Sequence, residues 1–399
     1  MDRIIFVDDN EADQLMLRRA LRPVAGEWET RFVSDARGAL KAMEQSSFDV
    51  VVSDVQMPEM DGVKLLETVK RRHPGLVRIV LSGAEDSRAK LRALDSAHVW
   101  MTKPCDTDVL RDIVDRVHKW GHLLGDEHLK RLVGQMDALP SSHDVCCHIE
   151  EELRSPTASV RTIARLMLKD VGMTAKILHV ANSGIVGTYS RISNPDYAVG
   201  ALSPRMIRSL AISASVLSGV DTMKDKRLSA KDLVSHAFST GALAREIAKT
   251  VTHDATVIED AFLAGILHDV GKLVLASNLP RLYASAITLG RERGLPLLRA
   301  EEEIFGVNHT KVGAYLLALW GMPGPVVEAC AHHHNPCACQ EREFSALAAV
   351  HVANVVAHKQ EERTADSISY LFDYDYLARL KANAWFEEWL EACLMPAGK

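Results

Sequence analysis

The stretch from Phe48 to Gly62 constrains the fold more than any other part of the chain. Val50-Val51-Val52 is a short β-branched run that ends on Ser53-Asp54 and meets the turn signals Pro58 and Gly62 at once. An apolar run of this length between breakers is a strand buried on both faces of a parallel sheet. Ligands of open α/β sheets collect at the carboxyl ends of such strands, so Asp54 is expected at a functional edge. Three more strand ends point to the same place. Arg3–Val7 runs into Asp8-Asp9, Arg78–Leu81 into Ser82-Gly83, and Val99–Thr102 into Lys103-Pro104. Crowded carboxylates repel one another, and a Mg²⁺ ion, which takes carboxylate, carbonyl and water oxygens, would reconcile them.

The rest of this region alternates strand and helix patterns. Helices are expected over 12–23, 36–45, 62–72, 88–95 and 107–124, and strands over 30–33, 78–81 and 98–101. Short loops joining such units give five βα repeats around a parallel sheet covered on both faces.

Val7-Asp8-Asp9, Asp54 with Met57-Pro58 and Asp61-Gly62, Leu81-Ser82-Gly83 and Lys103-Pro104 occur in that order. By these motifs residues 1–122 resemble a flavodoxin-like receiver domain of a two-component response regulator. The resemblance implies that Asp54 accepts a phosphoryl group and that Asp8, Asp9 and Asp54 hold Mg²⁺ with the Gln56 carbonyl. It also makes Ser82 the hydroxyl switch, Trp100 the aromatic switch and Lys103 the phosphate partner, and it implies a cognate sensor histidine kinase. The chemistry agrees, since a carboxylate attacking a phosphoryl donor needs a metal and a cation to neutralise the equatorial oxygens and little acid or base help.

Residues 123–136 read as a helical linker. It either transmits motion as a stiff rod or packs on its neighbour, and it breaks at Ala138-Leu139-Pro140. Beyond it helical periodicity dominates, as in Ser159–Leu166 and Thr174–Ala181, with a small-residue loop at 182–193. Val180-Ala181-Asn182-Ser183, Gly265-Ile266-Leu267-His268-Asp269-Val270-Gly271-Lys272, Phe305-Gly306-Val307-Asn308-His309, Leu319-Trp320-Gly321-Met322-Pro323 and His333-His334-Asn335-Pro336 follow. On these motifs residues 137–357 resemble an HDOD domain, an all-helical module related to HD-type metal hydrolases. The tail 358–399, with Trp385 and Trp389, is expected to pack back on it.

Imidazoles and carboxylates together are what a transition-metal site requires. Asp232, His236, His268, Asp269, His309, His333, His334 and Asn354 parallel the ligand series of the HD-family phosphodiesterases, with Fe, Mn or Zn as the candidate metal. Asn354 stands where those hydrolases place their last ligating Asp, and Asn335-Pro336-Cys337 replaces the Gly-Tyr-Pro of the cyclic di-GMP hydrolases. The HDOD resemblance implies a non-hydrolytic domain that signals by contact with a downstream protein. The alternative is a receiver-gated phosphodiesterase, or a binder of a cyclic dinucleotide. The dense run Cys330–Cys339 lacks any recognised zinc spacing, and Cys146-Cys147 read as buried helix residues.

The 399 residues, 47% of them hydrophobic, can bury two or three separate cores. A net charge of −6 gives no electrostatic footprint for nucleic acid or an anionic membrane, and no basic recognition helix follows the receiver. Seven cysteines without framework spacing, no leader and no membrane-length apolar run set the expectation of a cytoplasmic protein. The receiver resemblance also allows a homodimer through the last strands and helices of that domain.

Overall fold

The computed structural model describes residues 2–22, 26–83, 96–136, 139–141, 143–155, 159–183, 191–204, 206–207, 210–211, 230–340, 343–361, 372–380 and 389. The chain divides into two compact units. The first comprises residues 1–137 with 179–191 and 315–321, and the second holds the remainder.

In the first unit, β1 (Asp2–Val7), β2 (Trp28–Val33), β3 (Val50–Asp54), β4 (Val77–Ser82) and β5 (Val99–Thr102) form one sheet in the order β2-β1-β3-β4-β5. Every pairing is parallel. All residues of β3 and β4 are buried, which is why these strands lack polar alternation, Arg78 being the one charged residue before the strand ends. The sheet is accompanied by α1 (Glu11–Ala20), α2 (Ala36–Gln45), α3 (Gly62–Arg72) and α4 (Thr107–Leu124). Asn10, Asp35, Asp61 and Asp106 each cap the helix that follows through a side-chain oxygen. The helix expected over 88–95 lies outside the described residues.

α4 stops at Gly125, whose φ of 65° is left-handed, and α5 (Glu127–Gly134) begins at once with Asp126 as its cap. α5 is held to the sheet rather than extended as a spacer. The fully buried Arg78 guanidinium of β4 donates to the carbonyls of Ser96 (2.7 Å) and of Gly134 (2.8 Å), the last residue of α5. A Cβ on Gly134 would lie 2.1 Å from the Pro74 carbonyl oxygen, so glycine permits this approach. His98, immediately before β5, contacts the same guanidinium at 2.8 Å. Burial and the neighbouring arginine push its imidazole well below the ordinary value, so it stays neutral. On the outer edge of the sheet the Trp100 backbone N–H donates to the Ser183 carbonyl at 2.7 Å, which satisfies an edge-strand donor.

The second unit is helical. It contains α6 (His143–Arg154), α7 (Val160–Met167), α8 (Val171–Asn182, whose last turn falls in the first unit), α9 (Pro195–Ala201) and α10 (Ala230–Val251). α11 (Ala255–Leu267), α12 (Val270–Asn278), α13 (Pro280–Arg293), α14 (Leu297–Phe305) and α15 (His309–Leu319, which from Tyr315 on falls in the first unit) follow. α16 (Gly324–His332), α17 (Ala346–Glu361) and α18 (Tyr374–Arg379) complete it. Its core is built from α10, α11, α16 and α17, where Gly241 and Gly265 meet so closely that a Cβ on Gly265 would lie 2.5 Å from the Gly241 Cα. In the tail, Tyr376 and Trp389 are fully buried, while Trp385 is outside the described residues. Cys146 is buried as expected, but its neighbour Cys147 is exposed, because adjacent helix positions are about 100° apart and only one can face inward. Among the described residues no single helix is long and apolar enough to cross a membrane.

Candidate functional site

β1 and β4 flank β3 in the sheet, so the register brings the ends of all three together beside Asp54. Carboxylate oxygens of Asp8, Asp9 and Asp54 lie within 4.8 Å of one another. Asp8 and Asp54 are buried and Asp9 is exposed. The Val55 N–H donates to Asp54 Oδ1 at 2.7 Å, leaving Oδ2 to face the Lys103 ammonium at 3.0 Å. Lys103 follows β5, its backbone N–H tied to the Ser82 carbonyl at 2.8 Å and its peptide bond to Pro104 cis. Its Nζ also donates to Asp8 Oδ2 (2.7 Å) and Asp13 Oδ2 (2.8 Å). Burial pushes the Asp54 carboxyl above its ordinary value, Lys103 opposes this, and the Asp8 charge adds to it. For Lys103 burial acts downward, but the three carboxylates outweigh it and raise the ammonium.

Gly62 makes the pocket possible. A Cβ there would lie 1.8 Å from the Asp54 carbonyl oxygen, so only glycine lets α3 start this close to the strand end. Gln56 sits two residues past Asp54 in the same turn and is exposed. The Ser82 hydroxyl donates to the Gly83 carbonyl at 3.0 Å, and Trp100 is already buried, 1% exposed. A separate cleft of about 580 Å³ lies at the opposite, amino ends of the strands, lined among others by Asp2, Val50 and Val77, and includes none of these groups.

In the helical unit the sequence-selected residues fall into two groups that share Asp269: Asp269, His309, His333 and His334, and His236, His268 and Asp269. Each of three rings gives its Nδ1 a partner and turns Nε2 towards Asp269. His268 Nδ1 lies 2.7 Å from the Gly265 carbonyl, His333 Nδ1 2.9 Å from the Cys330 carbonyl and His309 Nδ1 2.6 Å from Glu301 Oε2. The Nε2 atoms of His268, His309 and His333 and Oδ1 of Asp269 are buried without a hydrogen-bond partner. For His268 and His333 a carbonyl on Nδ1 sets the tautomer that leaves Nε2 with a lone pair, which is how protein histidines are prepared as metal ligands, whereas His309 lies between Glu301 and Asp269, which raise its imidazole above the ordinary value against the effect of burial. Burial holds His333 and His334 well below the ordinary imidazole value, hence neutral. Burial acts to raise the Asp269 carboxyl, yet His268 and the Lys272 ammonium, 2.7 Å from Oδ2, hold it well below the carboxylate range.

Asn354 does reach the cluster, where its Oδ1 lies 2.9 Å from His236 Nε2 and occupies that nitrogen. Asp232, one turn before His236, is exposed and belongs to neither group. No cysteine joins either group among the described residues, and Cys337 Sγ contacts Asp373 Oδ1 at 3.4 Å instead. The sequence reading missed Glu301, fully buried against His309 from eight residues upstream, and His358, whose ring centroid is 4.1 Å from that of His236. It also missed Asp13. A lone carboxylate or imidazole on a helix carries no local signal of such a role.

The family model of the response regulator receiver domain matches residues 4–115, and that of the HDOD domain matches residues 139–336. The chain belongs to the response regulators, with a receiver domain followed by an HDOD domain. An uncharacterized protein of Treponema pallidum is 26% identical over 56% of this chain and 43% of its own length. The DNA-binding transcriptional regulator NtrC of Escherichia coli is 37% identical over 28% of this chain and 23% of its own. The chain thus spans less than half the length of these curated relatives. The crystal structure of the MmoQ response regulator from Methylococcus capsulatus covers 61% of this chain and 98% of its own at 21% identity, with a TM-score of 0.46. Receiver domains generally bind Mg²⁺, and a receiver implies a phosphodonor such as a histidine kinase.

Proposed function

We propose that this response regulator takes a phosphoryl group on Asp54 from its cognate sensor histidine kinase, in a Mg²⁺-dependent reaction in the cytoplasm. The HDOD domain relays the event by binding a downstream protein. The observation that carries this reading is Asp54, whose Oδ2 faces the Lys103 ammonium at 3.0 Å and whose carboxylate converges with those of Asp8 and Asp9. Asp8, Asp9 and Asp54, with the Gln56 carbonyl, would hold the ion. When bound, Mg²⁺ supplies charge neutralisation on the phosphoryl oxygens. Lys103 donates a hydrogen bond to one of those oxygens, and Ser82 and Trp100 carry the change to the β4–β5 side of the sheet. Asp54→Asn should abolish labelling by acetyl phosphate and leave the circular dichroism spectrum unchanged. Labelling that persists moves the acceptor elsewhere.

A second reading concerns the HDOD half. The Nε2 atoms of His268, His309 and His333, which converge on Asp269 at 3.3–3.7 Å without forming a hydrogen bond, favour a bound transition metal such as Fe, Mn or Zn. Asp269, His309, His333 and His334 are the fitting set, because Asn354 occupies His236 and weakens the other group. Lys272, supplying a cation to Asp269, lets the cluster stand without metal as well. Metal analysis of the purified protein tests this. Replacing His309 and His333 together should remove any metal found without touching phosphorylation, and a turnover assay on cyclic dinucleotides tests hydrolysis.

A further inference from the structure

We propose that Asp13 is a positioning residue for phosphoryl transfer, anchoring the Lys103 ammonium while the other carboxylates on it are taken over by metal and phosphoryl group. This rests on the reading of Asp54 as the acceptor.

An ammonium has three N–H donors, and here three carboxylates, Asp8, Asp13 and Asp54, lie 2.7–3.0 Å from Nζ. Two of the three are committed elsewhere during the reaction. Asp8 belongs to the converging group that would hold Mg²⁺, and Asp54 loses its negative oxygen when the bond to phosphorus forms. Asp13 lies outside that group, so its bond to Lys103 alone survives every step.

Its backbone is fixed to the same strand end. Asn10 Oδ1 accepts from the Ala12 N–H (2.9 Å) and the Asp13 N–H (3.4 Å), and the next side chain, Gln14, donates from Nε2 to the Asp8 carbonyl at 2.7 Å. Asp13 therefore reaches Lys103 from a helix start that cannot shift without disturbing β1. Its charge has a second effect. By offsetting the lysine it removes a repulsion that a divalent cation would otherwise meet a few ångströms away.

In the transfer, the donor's phosphorus bond to its leaving group breaks, the electron pair departs with that group, and a bond forms from an Asp54 oxygen to phosphorus. The carboxylate has no proton to lose. Lys103 contributes a hydrogen bond and keeps its proton, so what it needs is a fixed position.

The test uses the full chain as wild type, Asp13→Asn and Asp13→Glu. Mg²⁺ affinity is read by calorimetric titration, and initial rates of phosphorylation by acetyl phosphate are read across donor concentrations at saturating Mg²⁺. Asp13→Asn is expected to weaken Mg²⁺ binding about three- to tenfold and to lower the maximal rate by about the same factor, with the half-saturating donor concentration nearly unchanged. Asp13→Glu should recover at least half of each loss, which a merely structural role would not predict. The proposal is overturned if Asp13→Asn stays within about twofold of wild type in both quantities, or if Asp13→Glu does no better than Asp13→Asn. A wild type that takes no phosphate removes the reading of Asp54 instead, and the Mg²⁺ titration then decides Asp13 by itself.

Discussion

At Asp54 two forces oppose each other. Burial favours the neutral acid and Lys103 the carboxylate, and with the Asp8 charge added the group ends above its ordinary value. A carboxyl whose folded value is raised binds its proton more tightly in the native state than in the unfolded chain. Its contribution to stability is thus fully present below the unfolded value and is lost as pH rises through the folded one. At neutral pH the charged Asp54 is then a cost to the fold. Asp54→Asn should raise the Tm of the receiver at pH 7 by roughly 2 °C without Mg²⁺, an effect that fades in acid. Saturating Mg²⁺ should narrow the gap by stabilising only the protein that keeps the carboxylate. Scanning calorimetry at pH 4 and pH 7 checks both statements, and a lower Tm for the variant at pH 7 would contradict them. At Gly62 a Cβ would drive into the Asp54 carbonyl. Gly62→Ala should destabilise by about 1–3 kcal/mol through overpacking, measurable by urea unfolding.

Among the elements, the strands were the most legible from sequence. Buried parallel strands appear as apolar runs, and β3 and β4 fall where Val50–Asp54 and Arg78–Leu81 put them. The strand-end motifs gave the Asp54 cluster because they are local and ordered. Asp13 and Glu301 were not legible, because each acts through a partner 90 or 8 residues away that only the fold brings near. The region after α4 was read as a linker that either transmits motion or packs. Its last turn is bonded to the buried Arg78 of β4, a contact that no local pattern announces. Arg78→Met should cost about 2–4 kcal/mol, since the carbonyls of Ser96 and Gly134 lose a charged donor. The loss should appear as faster amide exchange across Glu127–Gly134, read by hydrogen–deuterium exchange mass spectrometry. Unchanged protection there would mean that α5 is held by its apolar face instead.

For the whole molecule, the two compact units suggest ligand effects that can be told apart. A ligand that binds only the native state stabilises by about 2.7 kcal/mol at a hundredfold excess over its Kd. Mg²⁺ should therefore shift the melting of the receiver. A transition metal, if the Asp269 cluster takes one, should shift the helical unit, and a chelator should reverse that shift. Replacing His309 and His333 should abolish the second response and spare the first. A metal response that persists in that variant would place the ion elsewhere.

The bond from Arg78 to the last turn of α5 bears on how this protein could be cut and rejoined. A receiver excised after residue 122 would strip the Arg78 guanidinium of the Gly134 carbonyl and open to solvent the apolar surface that Leu129 and Val133 cover, so such a fragment should express poorly or aggregate. Chimeras that transplant this receiver onto another effector should place the splice beyond residue 134.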